Sequence, residues 1–150
     1  MDPDFRRKFP LLVAGAFQEI SPATSSYNCI AWAAGVDHIP WWPHLDAFWP
    51  AGVPYEDTID AFLKAFATLG YTLCGDASLE SGFEKIALYA DFGGTPTHAA
   101  RQLPDGTWTS KLGQSIDITH KNTIVLNGPE YGAAVRFMRR PRADRSIITP

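Results

Sequence analysis

The sequence is poor in cysteine, in charge and in long apolar runs, and each shortage excludes a class of protein. Two cysteines, Cys29 and Cys74, in 150 residues cannot build a disulfide framework. No CxxC or HExxH spacing marks a metal site, and no GxGxxG or Walker pattern marks a phosphate loop. His38 and His44, in "HIPWWPH", lack a recognised ligand spacing, so neither a metal nor another cofactor is expected. No segment approaches the ~20 apolar residues that cross a bilayer. The opening "MDPDFRRKFPLLVAGAF" is acidic at its start and its apolar run is short, unlike a secretory signal. The expectation is a cytoplasmic protein with reduced thiols, with delivery by a signal-independent route as the alternative. Charged residues make up 19% and the net charge is −3, so nothing draws the whole chain to a membrane or to nucleic acid. "RFMRRPRADR" (136–145) carries +4 locally, and reads as a solvated terminal strand and tail.

What is present belongs to one folded domain. Apolar residues reach 45% and aromatics 13%, enough for a core in a single unit spanning 1–150. Its working core is expected over about 17–140, with 141–150 as a polar tail. A short helix ends near Pro10, and "FQEIS" follows as a strand. Ser25 or Ser26 would cap a two-turn helix over "YNCIAWAA", which Gly35 would stop. Prolines 40, 43, 50 and 54 make "DHIPWWPHLDAFWPAGVPYE" an irregular loop.

The clearest helix lies over "YEDTIDAFLKAFATLGY". Ile59, Phe62, Leu63, Phe66 and Leu69 share one face, Glu56 and Asp57 stand in its opening turn, and Gly70 closes it. Strands then follow over "YTLC", "EKIALYAD", "THAARQL", "GTWTSKLG", "NTIVLNG" and "GAAVRFMRRP", with "PDG" turning a hairpin. Helices before a mostly antiparallel sheet make an α+β layout.

Cys29 is the first candidate for chemistry. Free N–H groups at a helix start favour a thiolate and can hold an oxyanion. A small buried residue in an alanine-rich helix explains the same position without chemistry. His98, in "GGTPTHAARQL", begins a strand and could serve as base within ~3 Å of the thiol. Asp117, in "GQSIDITH", could orient His98 through Nδ1, with His120, Ser110 and Lys111 as alternatives. Cys74 ends a strand and reads as core. Trp41 and Trp42 would pack over the Cys29 helix or wall a substrate groove.

"YNCIAWAAG", "KIALYA" and "THAARQLPDGTWTSKLG" together resemble the papain-like cysteine hydrolases in their compact bacterial, cell-wall-peptidase-like form. The same blocks resemble an uncharacterised bacterial family of unknown function. The likeness runs from about Tyr27 to His120. It implies a papain-like fold, N-terminal helices packed on the sheet, with Cys29 and His98 as the reacting pair. It also implies hydrolysis or acyl transfer on a peptide, amide or ester substrate, or a whole protein, attacked by Cys29, with Asn28, Tyr27, Trp32, Trp41 and Trp42 holding the oxyanion or the substrate. Departures are visible: the Asp-Cys-Ser and Gly-x-Cys-Trp contexts are missing, and the nearest preceding glutamine is Gln18. The competing expectation is a non-catalytic binding protein on the same fold, with the Trp-Pro loop as its partner surface.

Overall fold

A computed structural model describes residues 3–112 and 115–142. Its elements in chain order are α1 (Pro3–Lys8), β1 (Phe17–Ser21), α2 (Cys29–Ala33), α3 (Ile59–Ala67), β2 (Thr72–Cys74), β3 (Phe83–Ala90), β4 (Pro96–Gln102), β5 (Trp108–Lys111), β6 (Asp117–His120) and β7 (Ala133–Pro141), with a 3-10 turn at Ile124–Leu126. The seven strands form one sheet in the order β1-β6-β5-β4-β3-β7-β2, and every pairing is antiparallel. The α+β layout therefore holds. No helix among the described residues is long and apolar enough to cross a membrane.

Strand β3 is the centre. It pairs with β4 on one side and β7 on the other, and from Glu84 to Ala90 every residue is buried. Its alternation feeds two cores. Ile86 and Leu88, with Ala99 of β4 and Met138 of β7, face α2, α3 and the Trp-Pro loop. Ala87 and Tyr89, with Ala100, Trp108 and Ile118, face the opposite way, where Phe9, Leu12, Val125 and Tyr131 cover them. Helix α1 belongs to this second layer through Phe5, whose ring lies 5.2 Å from that of Phe9.

Helix α3 buries Ala61, Phe62, Ala65 and Phe66, as its apolar spacing requires. It starts later than expected. Thr58 is its N-cap, accepting from Ala61 N–H, because a threonine oxygen can satisfy that donor and the preceding Glu56 and Asp57 then stay outside. At α2 the cap is Asn28, neither Ser25 nor Ser26. The helix ends in a Schellman pair: Val36 N–H donates to Ala31 O at 2.8 Å and Gly35 N–H to Trp32 O at 3.0 Å, with Gly35 at φ +86°.

Two strand expectations need correction. "NTIVLNG" forms the 3-10 turn, since Asn122 Oδ1 accepts from both Ile124 and Val125 N–H and so closes a turn before extension can begin. The strand beside β5 is instead Asp117–His120. Cys74 is half-buried on the short edge strand β2, where its thiol donates to Asp76 O at 3.7 Å. The edge position leaves one side of β2 uncovered. Of the expected tail, Pro141 completes β7, and 143–150 lie outside the described residues.

Candidate functional site

Cys29 opens α2 and packs into the first core, facing β4 and β5. Its thiol is buried and donates to Thr97 O at 4.0 Å. Two influences compete here. Backbone N–H groups of Ala99 and Ile30 and the cation of Lys111 favour the thiolate, while burial opposes it. Burial wins and pushes the Cys29 thiol up to about 11. A five-residue helix offers little dipole to oppose that.

His98 does not meet Cys29. It stands opposite Tyr89 in the β3–β4 ladder, and Tyr89 belongs to the second core. Its ring stacks on Tyr131 at 4.1 Å and meets Tyr89 edge-on at 5.2 Å. Ala99, one residue on, is what β4 turns toward α2. A period of two sends neighbours to opposite faces, so the sheet itself separates the thiol from the imidazole. The expected Cys29–His98 pair is corrected accordingly.

What His98 meets is a buried polar relay. Its Nε2 lies 2.9 Å from Ser110 Oγ, Ser110 Oγ lies 2.8 Å from His120 Nε2, and His120 Nδ1 lies 2.8 Å from Asn122 O. The proton positions follow by elimination. Asn122 O can only accept, so His120 carries its proton on Nδ1 and accepts at Nε2. Ser110 must then donate to His120, and His98 donates through Nε2 to Ser110. This leaves His98 Nδ1 as a bare lone pair, buried without a partner. Protonating it would create a buried N–H with nothing to receive it. Burial and the neighbouring His120 hold the His98 pKa well below the usual histidine range, and burial lowers His120 to about 4.

Asp117 does not orient His98 either; it lies on the Cys29 side of the sheet. Tyr27 donates its hydroxyl to Asp117 Oδ2, and Lys111 Nζ stands 4.0 Å from Asp117 Oδ1. Lys111 and Asp117 are both fully buried. Lys111 also donates to Ser115 O and sits 5.1 Å from the Tyr27 ring centroid. Burial lowers the Lys111 pKa while Asp117 opposes the shift, and Tyr27 is raised to about 12 by burial first and by Asp117 second. Of the expected alternatives, Ser110 meets His98 directly and His120 through Ser110, whereas Lys111 belongs with Asp117.

The expected substrate-positioning residues hold the scaffold together. Asn28 Oδ1 accepts from Ala31 N–H and Trp41 N–H, both at 3.0 Å, and its Nδ2 donates to Trp41 O at 2.7 Å. Trp32 donates from Nε1 to Thr109 Oγ1 at 2.9 Å and stacks on Tyr27. Trp41 is buried, and Trp42 meets Phe62 edge-on at 5.1 Å. His38 and His44 are exposed beside Asp37 and Asp46. Among the described residues no group of three or more His, Cys, Asp or Glu could hold a metal ion.

The fold defines a small α+β domain with a seven-stranded antiparallel sheet and buried polar groups on both faces. The chain belongs to the family described as Domain of unknown function (DUF7689), whose model matches residues 18–139. No curated protein and no solved structure matches it.

Proposed function

We propose that this domain is a binding module and that Cys29 is a structural residue. The observation that carries the reading is the division of Cys29 and His98 between the two faces of the sheet. A thiol raised to about 11 with no imidazole beside it is a poor nucleophile at neutral pH. The helix-start cysteine packs on an antiparallel sheet, with Thr97 and Ala99 backbone where a base would be needed.

The partner surface under this reading is the Trp-Pro loop. Trp41 and Trp49 anchor it in the first core, while Leu45 (90% exposed), Phe48, Ile39 and Tyr55 point outward. Phe48 is held against Trp41 at 4.8 Å between rings and through backbone bonds to Pro40 and Trp42. Apolar side chains fixed in place at a surface suit a partner with its own apolar patch. Peptide display against the immobilised domain tests this. Enrichment of aromatic-rich peptides that is lost in Leu45→Glu/Phe48→Glu is expected, and enrichment unchanged by the double substitution contradicts the reading. Thiol-dependent cleavage of amide or ester substrates, abolished by Cys29→Ala, would restore the hydrolase.

A further inference from the structure

On the face that carries α2 and α3, strands β3, β4 and β7 and the residue just past β7 bring three arginines to one carboxylate. Glu84 stands opposite Arg140, and Ile86, two residues along the same strand, stands opposite Arg101, so Glu84, Arg101 and Arg140 share a face. Arg140 donates from Nε to Glu84 Oε1 at 2.7 Å and from Nη1 to Leu69 O at 2.8 Å, and Arg142 Nη1 lies 3.8 Å from Glu84 Oε2. Arg101 differs. Its Nε is buried without a hydrogen-bond partner, and it forms no ion pair among the described residues.

Tyr71 lies in the same cluster, 1% exposed, with the Arg140 guanidinium 4.5 Å from its ring centroid. Its hydroxyl is likewise buried without a partner. Glu84, Arg140 and Arg142 act electrostatically on both Tyr71 and Arg101, which places all five groups together. Three guanidiniums and one carboxylate leave two positive charges uncompensated. The opposite face of the same strands is balanced, because Lys85 and Arg139 there meet Asp76 and Glu80.

Buried donors without acceptors are rare in folded proteins and call for an explanation. Two of them beside an excess charge of +2 complement an oxyanion, and a carboxylate would cancel only half of that charge. We propose that Tyr71, Arg101 and Arg140 form a binding site for the dianionic phosphate group of a small phosphomonoester or of free phosphate. Arg101 presents its Nε–Nη edge to two phosphate oxygens, Tyr71 donates its hydroxyl, and Arg140 stays anchored by Glu84. Arg140 and Arg142 side chains are about one quarter exposed, 23% and 26%, which leaves the cluster an outward side. The cluster shares its face of the sheet with Cys29, but the site rests neither on that thiol nor on the Trp-Pro loop reading.

The test is a titration of the whole chain followed through the arginine Nε–Hε resonances at constant ionic strength. Inorganic phosphate is expected to move the Arg101 Nε–Hε signal saturably, with acetate binding at least tenfold more weakly. Arg101→Gln is expected to weaken phosphate binding tenfold or more. Tyr71→Phe, which removes one buried oxygen and keeps the ring, is expected to weaken it several-fold in a folded protein. Tighter binding of O-phosphoserine or of a nucleoside monophosphate would identify a small phosphomonoester, and equal binding free phosphate; each supports the site. A linear, unsaturated response, or a saturable one unchanged in Tyr71→Phe, would overturn it.

Discussion

Asn28 ties the start of α2 to the Trp-Pro loop with one amide. Its oxygen accepts two backbone N–H groups and its nitrogen serves a third backbone group, so no other side chain of that size could replace it in full. Asn28→Ala removes the cap and leaves Trp41 N–H and O unpaired in a part-buried setting. A loss of about 2–3 kcal/mol is expected, the cap supplying roughly 1 of it, measured as the shift in the urea midpoint. Asn28→Asp keeps both acceptor bonds and loses only the donor, and is expected to lose less. Equal losses in the two variants would mean that the donor bond to Trp41 O carries the whole effect and that the cap contributes nothing. At this scale the sequence was legible in residue type and misleading in direction. A polar residue before Cys29 was evident, but Ser25, Ser26 and Asn28 are all good caps, and the loop that selects Asn28 lies 13 residues away.

The relay across β4, β5 and β6 is the element on which acid acts. Both histidines are neutral in the fold. The His120 pKa falls to about 4 against an unfolded value of ~6.5, so below pH 6.5 the unfolded chain binds the additional proton. Its stabilising contribution is therefore complete above pH 6.5 and is lost as pH falls toward 4. At pH 5 that loss amounts to about 2 kcal/mol for His120, and His98, displaced in the same direction, adds to it. The urea midpoint should fall between pH 7 and pH 5 in the wild type and fall less in His120→Gln; equal slopes would contradict the assignment.

Gly132 closes the loop that holds Tyr131 against His98. Its φ is +74° and a Cβ there would lie 2.0 Å from Ala90 O. Gly132→Ala is expected to cost more than ~2 kcal/mol, read from thermal unfolding. Strand positions were legible here because alternation and turn residues are local. Their faces were not, because a shift of one residue decides them. The β3–β4 ladder shifts register between Tyr89 and Ala90, a feature that only the partner strand determines. Asn122 likewise converts "NTIVLNG" from a plausible strand into a turn through two backbone bonds.

For the molecule as a whole, the sheet is a partition. One face carries Cys29, the Lys111–Asp117–Tyr27 group and the arginine cluster; the other carries the imidazole relay. The α+β class followed from the order of elements, since helix signals precede strand signals along the chain. Which polar residues meet across it did not follow, because Cys29, His98 and Asp117 are separated by 88 residues end to end and meet, or fail to meet, only through strand register. The resemblance to cysteine hydrolases rests on a helix-start cysteine and a strand-start histidine, and both are present. Their separation is what turns the account from catalysis to binding. The most direct measurement is iodoacetamide alkylation of Cys29 in a Cys74→Ser background between pH 6 and 10, with and without His98→Gln. The account predicts slow labelling of the native protein near pH 7.5, indifferent to His98→Gln, and ordinary thiol behaviour once urea unfolds it. Rapid labelling below pH 7 that His98→Gln abolishes would contradict it.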